Sequence, residues 1–224
     1  MATEPKLLER KARLDKRLKD RGITNYEIRY LPYLDFDEAE FASTKEVAAR
    51  MIILYLSAYS ANNDDSNHKI VGWLKQERLW SHVSPEEKKL FEGRTKDSEK
   101  LEGFSWCLES AYTLAWVLNL VSTLHPPISE LSAEQIVDFQ RKMPRLGTDL
   151  GSYFTKLDLR NKEEVFEENI FNELVTTYFR DLLFNGKTDT TDIDSYVSFE
   201  RHKVLNWVRR FSDIVDWDDT DTST

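Results

Sequence analysis

Apolar residues recur along this chain at helical spacing, with no sustained alternation of apolar and polar positions. Ser43-Thr44-Lys45-Glu46 reads as a capping box, and Val47, Met51, Ile52, Ile53, Leu54, Tyr55 and Leu56 follow it. This predicts a helix over about 44–60 that is apolar on nearly every side and therefore central to a core. A shorter helix is predicted over about 67–77 around Ile70, Val71, Trp73 and Leu74. Ser84-Pro85-Glu86-Glu87 opens another, with a cap, a first-turn proline and a glutamate three residues after the cap, and Gly93 ends it. The strongest pattern covers about 98–120, and its second half, from Trp106, is again apolar on most sides. Ser132-Ala133-Glu134-Gln135 is a third capping box, opening a helix that Pro144 ends. Residues 146–159 leave room for one short strand pair. A long amphipathic helix over about 161–184 stops at Asn185-Gly186, and a last helix spans about 195–211.

The sum is an all-α fold: a single helical domain over 1–211 with two central buried helices and peripheral ones around them. A helix with sparse leucines (Leu7, Leu8, Leu14, Leu18) covers 1–22, and an irregular aromatic strip with Tyr30, Pro32, Tyr33 and Phe36 covers 23–42. An acidic tail forms 212–224, in which Trp217 is expected to anchor the chain to the body while Asp216, Asp218, Asp219 and Asp221 stay solvated.

Charge changes the picture in two places. The 224 residues carry 31 Lys+Arg and 40 Asp+Glu, a formal net charge of −9. The first 21 residues hold eight basic and four acidic groups, a local excess of +4 against −13 in the remainder. This balance disfavours nucleic acid as a partner and favours a basic protein, which an acidic surface would attract at low salt. One cysteine, Cys107, excludes an internal disulfide and zinc sites of four cysteines or of two cysteines and two histidines. No stretch reaches the roughly 20 apolar residues of a membrane span, and no secretory signal opens the chain, so a cytoplasmic setting is expected. Phosphate-cradling glycine motifs, paired metal-binding histidines and a nucleophile elbow are missing, so no catalytic set, metal or cofactor is assigned.

The second place is inside the helices. On a helical wheel Glu200 falls in the middle of an apolar arc formed by Val197, Val204, Val208, Phe211, Trp207 and Tyr196. Glu109 falls between Trp106, Trp116 and Leu120, and Arg50 between Ile53 and Leu54. A lone buried carboxylate costs several kcal/mol, so these groups are expected to pair, most simply Arg50 with Glu109 or Glu200. They are binding candidates either as a link that sets helix register or as the floor of a pocket. His202, Asn206 and Arg209 share the opposite face of the last helix, expected at the surface, where a ligand or partner could meet them. Trp217 completes the candidates.

Several strings in the chain resemble a known bacterial family. They include Arg21-Gly22-Ile23, Leu31-Pro32, Lys45-Glu46-Val47-Ala48-Ala49-Arg50, Trp73-Leu74, Leu79-Trp80 and Phe104-Ser105-Trp106 with Glu109 and Leu114-Ala115-Trp116. Most specific are Phe199-Glu200-Arg201-His202-Lys203-Val204-Leu205-Asn206-Trp207 and Asp216-Trp217-Asp218-Asp219. The family is the one catalogued as domain of unknown function 4272. The resemblance implies an all-helical fold and no particular activity. It also implies an arginine after Trp106, where this chain has Cys107, which puts more weight on Arg50 as the basic partner. Two kinds of function remain in view: a protein-binding module, for instance an immunity-type protein that neutralises a toxin, and an enzyme of hydrolase or transferase type using the buried Arg/Glu cluster on a small polar substrate.

Overall fold

The computed structural model describes residues 3–24, 26, 28–36 and 41–222. The parts of the aromatic strip at 25, 27 and 37–40, and the last two residues of the tail, lie outside the described residues. The helices are α1 (Glu4–Lys19), α2 (Thr44–Asn62), α3 (Asn67–Gln76), α4 (Pro85–Phe91), α5 (Ser98–Ser105), α6 (Cys107–Val117), α7 (Ala133–Lys142), α8 (Gly151–Phe154), α9 (Lys162–Phe184) and α10 (Ser195–Val208). No strand occurs among the described residues; the segment left open for one holds the single turn α8.

Capping fixes most helix starts. In each of the boxes at Ser43, Ser84 and Ser132 the serine hydroxyl accepts from the backbone N–H three residues on, and that residue's side chain accepts from the serine N–H. The pattern over 98–120 does not yield one helix. It breaks at Trp106, where Gly103 weakens the ladder and the Ser105 hydroxyl donates back to the Leu101 carbonyl. The Trp106 ring there stacks on Tyr196, with centroids 5.5 Å apart.

The main body is a row of neighbours: α2 lies along α6, α6 against α10, and α10 along α9. Thus α2 and α6 are central as expected, and α10 and α9 join them. Leu54, Leu114, Ala115, Val204 and Leu205 are fully shielded within this core. A second apolar cluster joins α1 (Leu7, Leu14, Leu18) to α9 (Phe166, Ile170, Phe171) with Ile28 and Leu34 of the strip.

The basic face of α1 is occupied by α9. Lys6 pairs with Glu163, Arg13 with Glu167 and Arg17 with Glu168. Arg10 has no solvent exposure; it donates to Glu163, to Glu167 and to the Leu34 carbonyl, and its guanidinium lies 5.1 Å from the Phe166 ring centre. The local +4 of the sequence is therefore a docking charge within the chain. No helix among the described residues is long and apolar enough to cross a membrane.

After α10 the chain reverses through Arg210, Ser212 and Asp213, all with positive φ, a region that non-glycine residues enter at a cost. The tail then runs back over α10. Trp217 is buried, edge-on to Trp207 with centroids 6.4 Å apart, and the Trp207 Nε1–H donates to the Val215 carbonyl. Asp216, Asp218 and Asp219 stay exposed around this anchor.

Candidate functional site

Of the three ionisable groups placed inside the apolar stripes, Arg50 and Glu109 are buried and Glu200 is half-buried, and they do not pair with one another. Arg50, on α2, is 6% exposed and meets Glu87, the third residue of α4. Its Nη1 donates to both Glu87 carboxylate oxygens at 2.9 Å, and its Nη2 donates to the His82 carbonyl. Glu87 is also the acid of its capping box, so one carboxylate closes the start of α4 and neutralises α2. The expected link from Arg50 to Glu109 or Glu200 is thus corrected. The wheel identifies which residues face inward but not which helix supplies the opposing carboxylate, and here Glu87 at the start of α4 is the one that reaches Arg50.

Glu109 pairs instead with Arg201 of α10. Nε and Nη2 of Arg201 donate to the same oxygen of Glu109 at 2.9 and 2.7 Å, and Nη1 donates to the His125 carbonyl. Both side chains are buried, at 4% and 2% exposure. Burial pushes the Glu109 carboxyl above the usual range, Arg201 opposes the rise, and Glu200 adds to it. Among the described residues the Glu200 carboxylate accepts a hydrogen bond from the Ser110 hydroxyl alone, at 2.8 Å. Its carboxyl is also raised by burial, against the attraction of Lys203. Cys107 lies beside Glu200, and burial followed by that acid's charge pushes its thiol pKa up. An inert packed thiol is what such an environment makes.

The face of α10 expected at the surface is buried. His202 has no exposure and Asn206 has 3%, because α9 opposes them with a polar stripe of its own. Asn169 donates to the Asn206 amide oxygen at 3.0 Å, and Ser198 donates to the Asn172 amide oxygen at 3.1 Å. Arg209 is partly buried, donates to Asn169, and lies 4.4 Å from the Phe166 ring centre. The Thr176 hydroxyl donates to the Asn172 carbonyl, so at its 3.0 Å contact with His202 it accepts from Nδ1–H. That leaves His202 Nε2 as a buried acceptor with no partner among the described residues. Protonating it would bury a further positive charge beside Arg180 and Arg209; burial and those arginines hold the imidazole down to about 3. The tail closes over this seam, where Asn206 donates to the Asp221 carbonyl and Arg180 to that of Thr222.

Beside the Glu109–Arg201 pair lies a cleft of about 660 Å³. Tyr112 of α6, segment 121–132 and α7 form its walls, with the Arg201 side chain in its lining. Glu130, Glu134 and Asp138 stand exposed along its rim. Asp138 pairs with Arg141, whereas Glu130 and Glu134 have no ion-pair partner among the described residues. Ile128, 46% exposed, lies on the same rim. No local pattern in the sequence marks this rim, because its three acids come from a loop and one turn of a solvated helix. Among the described residues no three His, Cys, Asp or Glu side chains gather as metal ligands.

A family model described as "Domain of unknown function (DUF4272)" matches residues 10–220, and the chain belongs to that family. Neither the curated proteins nor the solved structures gave a match.

Proposed function

We propose that this chain is a protein-binding module whose acidic cleft receives a basic segment of a partner. The observation that carries the reading is the pair of rim carboxylates, Glu130 and Glu134, with no ion-pair partner among the described residues, beside a cleft of about 660 Å³ and the exposed Ile128. Exposed, unpaired acids around an apolar spot suit an arginine- or lysine-bearing surface, and the net charge of −9 speeds such an encounter. The Glu109–Arg201 pair serves this role by holding the cleft wall, since Arg201 also grips the His125 carbonyl of segment 121–132. Neutralising a basic toxin in the manner of an immunity protein is one concrete form of the activity.

The test is capture from the organism's own cells with tagged wild-type protein and a Glu130→Lys/Glu134→Lys variant. Both substitutions are at exposed positions and should leave the circular dichroism unchanged; Glu134 is an acid of the first turn of α7, so Lys there lowers Tm by no more than a few degrees. The expected result is a stoichiometric basic protein recovered by the wild type, falling at least about tenfold with the variant. Equal recovery by both would remove the cleft from the account.

A further inference from the structure

A second cavity, of about 310 Å³, lies away from the acidic cleft, between the first turns of α2, the turn at 81–85, α4 and the returning tail. Its lining is rich in donors: Arg50, Lys88, Arg210 and the exposed His82, with the indoles of Trp207 and Trp217 as walls. Two carboxylates also line it, and both already have donors. Glu46 accepts from the Ser43 N–H and hydroxyl and from Arg210, and Asp216 accepts from the Asp218 N–H at 3.1 Å. Burial acts to raise the Glu46 carboxyl, but the Ser43 hydrogen bonds and the Arg210 charge outweigh it and keep it ionised. The donors are not used up. Lys88 makes no ion pair among the described residues, whereas the Arg50 guanidinium is held by Glu87 and the His82 carbonyl and its remaining Nε–H is shielded, so Arg50 adds charge to the wall and Lys88 supplies the open donor. The Arg50 guanidinium sits 5.2 Å from the Trp217 ring centre and 5.9 Å from that of Trp207.

We infer that this cavity is a binding site for a small oxyanion, a carboxylate or phosphate group carried on a flat apolar body. A cation without a carboxylate partner attracts an incoming oxyanion. Lys88 and Arg210 supply the charge at the entrance, the two indoles accept the apolar part, and the volume suits a ligand of single-ring size. The inference is independent of the acidic cleft: the two sites share no lining residue and want ligands of opposite charge.

Phenyl phosphate, benzoate and uncharged benzyl alcohol serve as probes, titrated at constant chloride and followed by tryptophan fluorescence and calorimetry. Binding of phenyl phosphate, of benzoate or of both, with benzyl alcohol at least about tenfold weaker, is the expected result; which anion binds tells phosphate from carboxylate. Lys88→Glu should weaken that binding by about tenfold or more, while Lys187→Glu, at an exposed position lining neither cavity, should not change it. Benzyl alcohol binding as well as the anions, no heat from either anion, or indifference to Lys88→Glu would each overturn the assignment.

Discussion

Replacing Arg201 by Ala should lower the unfolding free energy by about 3–5 kcal/mol, because it leaves the Glu109 carboxylate buried without its cation. For a chain of this size that is a fall in Tm of roughly 10 °C, readable by calorimetry. The loss has two parts. One is the bare carboxylate, which can escape by taking up a proton, and its pKa is already above the usual range. The variant should therefore recover stability on acidification more than the wild type does. The other part is the lost bond to the His125 carbonyl, which ties segment 121–132 to α10. Removing both charges together, as Glu109→Leu with Arg201→Met, should cost less than Arg201→Ala alone, since an apolar pair of similar volume needs no desolvated ions. A single variant no less stable than wild type would mean that the pair lies in water.

The second large effect is a pH dependence. In the unfolded chain His202 titrates near 6.5; in the fold it is held down to about 3. The unfolded state therefore binds the proton first, and the folded state's advantage is complete above pH 6.5 and is lost as pH falls from there toward 3. By pH 4.5 the loss attributable to this one side chain is on the order of 2–3 kcal/mol. Glu109, Glu173 and Glu200 act the other way. Their carboxyls are raised by burial, so the fold binds their protons more tightly and is weakened as pH rises through the window above the ordinary carboxylate range. Comparing wild type with His202→Gln in urea at pH 7.5 and 4.5 cancels the carboxylates. The gap between the two proteins should shift in favour of the variant by those 2–3 kcal/mol on going to pH 4.5. Parallel pH profiles would show that His202 is not held neutral.

Helix starts were legible in the sequence because they are local: a serine, a glutamate or glutamine three residues on and an apolar run suffice, and all three boxes form. The inward position of Glu109 was legible too, since a wheel needs only the spacing along one helix. What failed depends on which helix lies opposite. Arg201 sits next to Glu200 in the chain and drew no notice on its own helix, yet it is the cation that Glu109 meets. Glu87 was seen as a cap, and nothing in the local string says that a second element will use the same carboxylate. The polar face of α10 was placed in water because polar stripes usually face water. A matching signal was available on α9, where Asn169, Asn172, Glu173 and Thr176 recur at helical spacing between apolar residues. Two polar stripes at that spacing in neighbouring helices can satisfy each other in a core. Arg10 shows the same lesson for charge, since a basic helix next to an acidic one is a docking pair.

The buried charges form two separate ion pairs, Glu109–Arg201 and Arg50–Glu87, each beside its own cavity. Double-mutant cycles in urea test this most directly, using Glu109→Gln with Arg201→Met and Glu109→Gln with Arg50→Met. The prediction is a coupling of about 2 kcal/mol for the first cycle and no more than about 0.5 kcal/mol for the second. Coupling of Glu109 to Arg50 as strong as to Arg201 would contradict it.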